Sequence, residues 1–138
     1  MNIALFDTRA EADGFQQLLA EVDGIESIVV PAPSETYAVE VLRPADFRAG
    51  LVYLLYYVKG LTLDDLAEQP RDARIEVLSQ HLLQYALVER NWNPPDLSWY
   101  GRRTRLDDAG IDEARGAAEQ EFRTREKRAG WLRRMLRR

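Results

Sequence analysis

The sequence predicts an α+β protein: a small βαββ sheet, half of a ferredoxin-like fold, packed by helices and followed by a basic amphipathic helix at the C-terminus. Three observations lead to this prediction. Residues 1–42 alternate between strand-like and helix-like patterns, residues 71–90 carry an apolar stripe with helical spacing, and residues 111–138 are rich in helix formers. We expect a compact domain over residues 1–110 and a C-terminal helix with a basic arm over 111–138.

The first two elements are predicted to be a strand and a helix. The short apolar run NIALF, residues 2–6, is typical of a buried strand. Thr8 and Glu11 match a capping box, in which each side chain satisfies a backbone amide at the start of a helix. Four apolar residues then share one helical face, and Gly24 is a natural stop after them. The four are Phe15, Leu18, Leu19 and Val22.

Two further strands are expected before residue 43. Residues 25–30 are β-branched, and residues 35–42 alternate between apolar and polar side chains, as a half-buried strand does. The segment Pro31-Ala32-Pro33-Ser34 between them predicts a turn that ends the second strand. Residues 1–42 therefore follow the order β-α-β-β.

The segment ADFRAGLVYLLYYVKG, residues 45–60, fits two structures. Pro44 and Asp46 suit a helix start, and apolar residues spaced by three and four favour one helical face. Residues 51–58 are also rich in strand formers. We favour a helix, because sixteen residues without a turn signal are long for a strand.

The second half of the chain is predicted to be helical around one aromatic loop. A short helix is expected over residues 62–68, and a long one over 71–90, where Asn93-Pro94-Pro95 stops it. Residues 92–110 are interpreted as a loop that holds three large aromatic residues. From Ile111 onward the composition is helical, with a weak point at Gly130.

Composition excludes several classes of protein. The chain has no cysteine, so it has no disulfide framework, thiolate metal site or cysteine nucleophile. The N-terminus does not look like a signal peptide, and the longest apolar run, residues 51–58, is much shorter than the roughly 20 residues needed to span a bilayer. We expect a soluble, cytoplasmic protein without a membrane partner.

Charge is distributed unevenly along the chain. Residues 1–100 carry 7 basic and 16 acidic side chains, a net charge of −9, whereas residues 101–138 carry 12 and 7, a net charge of +5. Residues 125–138, called the tail below, contain six arginines, one lysine and one glutamate. This asymmetry predicts an acidic body with a basic arm.

Candidate catalytic and metal-binding residues are few, and each has a structural interpretation. Asp7 follows the first strand, where α/β enzymes place nucleophiles, but helix capping explains it as well. His81 is the single histidine and lies within a helical stripe, as a partly buried structural histidine would. The acidic clusters at 64–68 and 107–113 stand at helix starts, where negative charge is favourable. We therefore expect no catalytic residue, no metal and no cofactor.

Two segments suggest binding rather than catalysis. GLTLDDLAEQ, residues 60–69, resembles the opening of a helix-turn-helix, but the next helix carries acids that would face phosphates. The aromatic loop NWNPPDLSWYGRR, residues 91–103, could cover the long helix, form a protein interface or stack on nucleic-acid bases.

The tail is predicted to be a basic amphipathic helix. Trp131, Leu132, Met135 and Leu136 share one side, and arginines occupy the other. Four destinations stay open: the protein's own acidic body, an acidic groove on a partner protein, nucleic acid or a membrane surface. The net charge of −9 on residues 1–100 disfavours broad contact with duplex DNA, since it repels phosphates.

Residues 61–128 resemble bacterial toxin–antitoxin-associated proteins. The resemblance lies in LAEQPRDARIEVLSQHLLQYALVERNW, then PPDLSW, then the basic-aromatic EFRTRE. It implies a small neutralising or regulatory protein and identifies no catalytic residue.

The sequence therefore predicts a non-enzymatic protein-binding module of the antitoxin, inhibitor or adaptor type. The alternative is a nucleic-acid-associated regulatory protein that uses the C-terminal arginines. The expected partner is a protein with an acidic or apolar groove, and a homodimer is a further prospect. The predicted contact residues are Trp92, Trp99, Tyr100, Arg102, Arg103, Trp131, Arg133, Arg134 and Arg137.

Overall fold

The structure, a computed structural model, describes residues 2–42 and 45–137, and it confirms an α+β protein with a small antiparallel sheet and mostly helices. Its contacts divide the chain into two compact units, Met1–Thr62 and Leu63–Arg138. Within the described residues, the first unit contains the sheet and the second is helical. The C-terminal helix expected from residue 111 begins at Asp108.

The sheet has three strands: β1, Asn2–Phe6; β2, Ser27–Ala32; and β3, Thr36–Val41. β3 lies in the centre and pairs antiparallel with both neighbours, so β1 and β2 are parallel to each other. Helix α1, Arg9–Asp23, connects these two outer strands. Ala38 and Val39 are consecutive residues of β3, so their side chains point to opposite faces of the sheet. Both are fully buried, so the central strand is covered on both faces.

The second strand differs from its prediction at Pro31. We expected this proline to end the strand, but β2 continues through it to Ala32, and Pro31 pairs with Tyr37. Proline is tolerated here because β2 is an edge strand, whose missing amide hydrogen can face away from the neighbouring strand. The turn falls two residues later, at Pro33–Glu35.

Helix α1 begins and ends where predicted, but only the Thr8 half of the capping box forms among the described residues, because Glu11 accepts from the Thr8 hydroxyl and not from the Thr8 amide. The Thr8 hydroxyl oxygen accepts a hydrogen bond from the Glu11 amide at 3.2 Å, and the same hydroxyl donates to the Glu11 carboxylate at 2.9 Å. Gly24 ends the helix in the left-handed conformation, with φ of 62°. Between these ends Phe15 and Leu19 are fully buried, which confirms the predicted apolar face.

Residues 51–58 are helical, as favoured from the sequence. Helix α2, Asp46–Tyr53, continues into the π-helical segment Leu54–Lys59. The ring of Tyr53 stacks on that of Tyr57 with centroids 5.4 Å apart, and both pack against Phe6 and Phe15. These four rings, called the aromatic cluster, anchor the helix to β1 and α1. Pro44, expected at the helix start, lies outside the described residues.

The described residues of the second unit form four helices: α3, Leu63–Ala67; α4, Arg71–Glu89; α5, Ser98–Thr104; and α6, Asp108–Leu136. α4 packs against α6, and α3 packs against α5. The long helix predicted over 71–90 is confirmed. The prediction of an uninterrupted loop over 92–110 is wrong, because α5 forms within it.

Helix α5 forms because both its ends are stabilised. At the start, the Asp96 carboxylate accepts hydrogen bonds from the Ser98 amide, at 3.1 Å, and from its hydroxyl, at 2.8 Å. At the other end, Arg74 of α4 donates from its guanidinium to the carbonyl oxygens of Thr104, at 3.1 Å, and Arg105, at 2.8 Å. These groups satisfy backbone atoms that a seven-residue helix leaves unpaired.

Tyr100 ties α5 to α4 from inside the core. Its side chain is fully buried, and its hydroxyl donates to the carbonyl oxygen of Arg74 at 2.6 Å. Burial raises the pKa of Tyr100, so the hydroxyl stays protonated and remains a donor. The preceding residue, Trp99, is also buried.

We predict that Tyr100→Phe lowers the free energy of unfolding by about 1 kcal/mol, because the Arg74 carbonyl loses a buried hydrogen-bond donor. Chemical denaturation measures this change. Tyr37→Phe is the matched control, since the Tyr37 hydroxyl makes no hydrogen bond within the described residues. Equal midpoints for the two variants would contradict the assignment.

Asp107 caps α6 and makes stability depend on pH. Its carboxylate accepts from the Gly110 amide at 2.8 Å and lies 3.3 Å from a guanidinium nitrogen of Arg71. These hydrogen bonds, chiefly that of the Gly110 amide, lower the pKa of Asp107 below its usual value. A carboxylate whose native pKa is lowered stabilises the fold above its unfolded pKa of about 4, and the contribution disappears as pH falls through the native pKa.

We predict that Asp107→Asn loses less stability than the wild type when pH falls from 6 to 2, because asparagine keeps the cap but does not titrate. Thermal midpoints across this range measure the effect. Asp108→Asn serves as control, since the Asp108 carboxylate makes no hydrogen bond within the described residues. Parallel pH profiles for wild type and Asp107→Asn would refute the prediction.

Candidate functional site

Helix α6 is longer than the helix that supports it. α4 has 19 residues and α6 has 29, which correspond to about 28 Å and 44 Å at 1.5 Å per residue. The two run in the same direction, because Arg71 at the start of α4 forms ion pairs with Asp107 and Glu113 at the start of α6. α4 ends at Glu89, so the last third of α6 extends past it.

The apolar stripe of α6 resumes in this extension. Ile111, Ala114, Ala118 and Phe122, spaced by three and four residues, are buried where α4 packs against α6. After Phe122 the next positions at this spacing are the charged Arg125 and Glu126, and apolar residues return at the same spacing with Ala129, Leu132 and Leu136. In the tail four large apolar side chains are exposed: Trp131 by 53%, Leu132 by 48%, Met135 by 53% and Leu136 by 86%. Surface apolar groups grouped in this way are typical of contact sites.

A groove lies where α4 ends beside α6, with a volume of about 480 Å³. Leu87, Phe122 and Ala129 form its apolar floor. Its rim is mainly basic, with Arg90, Arg125 and Arg133 beside the single acid Glu126. This tail groove joins the apolar stripe to the arginine side chains, so it suits a ligand with apolar groups flanked by carboxylates.

Positive charge becomes unpaired toward the end of α6. Arg123 lies 3.0 Å from Glu126, and Arg125 lies 3.0 Å from Glu121, so the helix pairs its earlier arginines internally. No acid follows Glu126 in the sequence. Within residues 2–42 and 45–137, four later arginines have no ion pair: Arg128, Arg133, Arg134 and Arg137. Of these, Arg133 and Arg134 lie in the last turn of α6, where positive charge is favourable at the negative end of the helix dipole.

The aromatic residues predicted from the sequence separate into two groups. Trp92, half-buried after the end of α4, lies with its ring 6.2 Å from that of Phe122, beside the tail groove. Trp131 lies on the exposed tail. Trp99 and Tyr100 are buried in α5 and are not offered to a partner in this fold. Their burial follows from the formation of α5, whose inner face they supply.

The predicted arginines also separate. Arg133 lines the tail groove, and Arg134 and Arg137 follow it on the same helix. Arg102 and Arg103 lie in the last turn of α5, where they stabilise the negative end of that helix, and they do not line the tail groove. Six groove residues were not predicted: Leu87, Arg90, Phe122, Arg125, Glu126 and Ala129. The signal that could have found Phe122 is its helical spacing from Ile111, Ala114 and Ala118.

Asp7 and His81, the other candidate residues, lie where a structural role explains them. Asp7 is exposed beside the capping residue Thr8. His81 is half-buried on α4. In the described part of the chain, no three His, Asp or Glu residues are grouped so that they could hold a metal ion. Among the same residues, no helix is both long and apolar enough to cross a bilayer.

Comparison of the chain with protein-family models, with curated proteins and with solved structures found no match. The assignment of a function therefore depends on the geometry of α6 and on chemistry alone.

We predict that Phe122→Ala destabilises the fold by about 3 to 4 kcal/mol, because it removes the last buried anchor between α6 and α4. Leu136→Ala should change stability by less than about 0.5 kcal/mol, since that side chain has no packing to lose. Denaturant titration measures both. A loss above about 1 kcal/mol for Leu136→Ala would mean that the tail is packed in solution.

Proposed function

We propose that this protein is a non-enzymatic protein-binding module of the antitoxin, inhibitor or adaptor type. Its contact surface is the tail together with the tail groove and Trp92. The observation that carries the proposal is the group of four large apolar side chains exposed on α6 past the end of α4, Trp131, Leu132, Met135 and Leu136, which lie beside arginines without an ion pair among the described residues.

The side chains of this surface indicate the kind of protein that would bind it. Leu132 and Leu136 offer an apolar ridge, and Trp131 is a residue type that often dominates interface energetics. Arginine grips carboxylates with two parallel hydrogen bonds, and its charge speeds encounter with an acidic surface. The fitting partner is a protein with an apolar groove bordered by Asp or Glu.

The resemblance of residues 61–128 to bacterial toxin–antitoxin-associated proteins fits this proposal. Proteins that neutralise or regulate a partner act through such a contact surface without a catalytic residue of their own. The buried Trp99 and Tyr100 take no part in the proposed contact, and Arg102 and Arg103 lie outside it. Cytoplasmic location belongs to the same proposal.

A nucleic-acid-associated role is the second candidate, and the same unpaired arginines support it. Each phosphate contact makes log K fall by roughly 0.7 to 0.9 per log unit of salt. Five contacts would thus weaken binding by about four log units per tenfold increase in salt. An interface anchored by Trp131 and its apolar neighbours should weaken far less.

We also propose that the sheet is half of a ferredoxin-like unit. The support is the strand order β1-β3-β2, with α1 connecting the two parallel outer strands. In this arrangement a third strand is inserted between the two strands of a βαβ unit.

We predict that a variant with Trp131, Leu132, Met135 and Leu136 changed to serine captures none of the protein partners that the wild type captures from its native cell. The reason is that the apolar ridge supplies the binding energy. Quantitative mass spectrometry of captured proteins at 0.15 M and 0.5 M salt is the measurement. Val88→Ser is the matched control, because Val88 is exposed on α4 outside the tail groove.

Two outcomes would reject the proposed function. Equal capture by the serine variant and the wild type would remove the tail from the contact surface. Loss of all partners after nuclease treatment or at 0.5 M salt would favour the nucleic-acid role instead.

A further inference from the structure

A second groove lies in the first unit, with a volume of about 980 Å³. It is formed by residues 13–20 of α1, residues 24–28 around the start of β2, and the end of β3, so it opens at one end of the sheet. Its volume is at the upper end of the usual range for ligand sites. We call it the acidic groove.

The lining of the acidic groove is apolar with carboxylates around it. Ile28 is 57% exposed and Leu42 is 81% exposed, so both present apolar surface to solvent. Asp13, Glu26 and Glu40 supply the acids, and none of the described lining residues is cationic. Asp13 is engaged with Arg9 at 3.7 Å.

Two of these acids are available to a ligand. Glu26 and Glu40 form no ion pair within the described residues. The buried Ser27 hydroxyl, which also lines the groove, has no hydrogen-bond partner within the same residues. A cationic ligand with an apolar side would fit this groove. Its apolar side would cover Ile28 and Leu42, and its positive charges would pair with the carboxylates of Glu26 and Glu40.

The tail of the same protein has that chemistry. It carries seven basic side chains and one acid, and its apolar side is exposed. We propose that the acidic groove of one copy binds the tail of a second copy. This inference rests on the proposed function in that the same tail makes the contact, and it adds that self-association competes with the foreign partner.

Symmetric modes of self-association are less favourable. Packing tail on tail would bring two strongly positive segments together, and packing groove on groove would bring two sets of carboxylates together. Strand addition to the outer edge of β2 is disfavoured by Pro31, which has no amide hydrogen to donate. Groove-to-tail contact is the one pairing in which opposite charges meet.

The test mixes two full-length variants. Glu26→Lys with Glu40→Lys alters the groove and leaves the tail intact, whereas Arg133→Glu with Arg134→Glu alters the tail and leaves the groove intact. Sedimentation velocity over a hundredfold range of concentration at low salt measures mass. We expect the wild type to shift from one chain mass to two and to larger masses, because each pair leaves one groove and one tail unoccupied. Each variant alone should stay at one chain mass.

The equimolar mixture of the two variants should again form a pair, because one copy contributes an intact groove and the other an intact tail. Glu21→Lys with Glu35→Lys is the matched control, since these exposed acids lie outside the groove and change the net charge equally. It should associate as the wild type does. A wild type that stays at one chain mass, or a mixture that fails to pair, would overturn the proposal.

A second measurement covers the case in which a groove variant does not fold. A synthetic peptide of residues 117–138 is titrated into the full-length Arg133→Glu, Arg134→Glu protein and followed by amide NMR shifts. Shifts confined to residues around Ile28 and Leu42 support the inference, and shifts elsewhere or none refute it. The groove variant should still capture the foreign partner, so failure of self-association and failure of the proposed function give different results.

Discussion

The parallel packing of α4 on α6 determines what the second unit can offer to a partner. Because the two helices start together, the point where α4 stops decides where the stripe of α6 loses its cover. That point is Glu89, since Arg90 takes a left-handed conformation and two prolines follow soon after. The exposed extension stays helical because it propagates a helix already formed and held by Phe122, and it needs no nucleation of its own.

The first unit depends on a different kind of contact. Its helices are held to the sheet by the aromatic cluster, and α1 is joined to α2 by the ion pair between Asp23, at the end of α1, and Arg48. Aromatic rings contribute large buried area with defined edge-to-face geometry, which suits a sheet of only three strands. These contacts leave one end of the sheet uncovered, where Ser27 and Val41 line the acidic groove.

The sequence predicted those features that depend on neighbouring residues. Thr8 and Gly24 define a helix through local hydrogen bonds and backbone preference, and the stripe of α4 is a single periodic pattern. Helix α5 was missed because Pro94, Pro95 and Gly101 suggest a loop, whereas its stability comes from Arg74, some thirty residues away. The tail groove could not be located for a similar reason. Its position depends on which turn of α6 lies beside Arg90, and no local pattern encodes that alignment.

The π-helical segment Leu54–Lys59 ties chain length to side-chain direction. A π-turn holds about one residue more than an α-turn, so each residue after it faces about 100° away from where an α-helix would place it. A one-residue deletion within Leu54–Lys59 would be absorbed by a return to ordinary α-helical winding, which keeps the residues after it on their present faces. In a regular α-helix the same deletion turns every later side chain by about 100°, so this stretch should tolerate the loss of one residue better than α2 does.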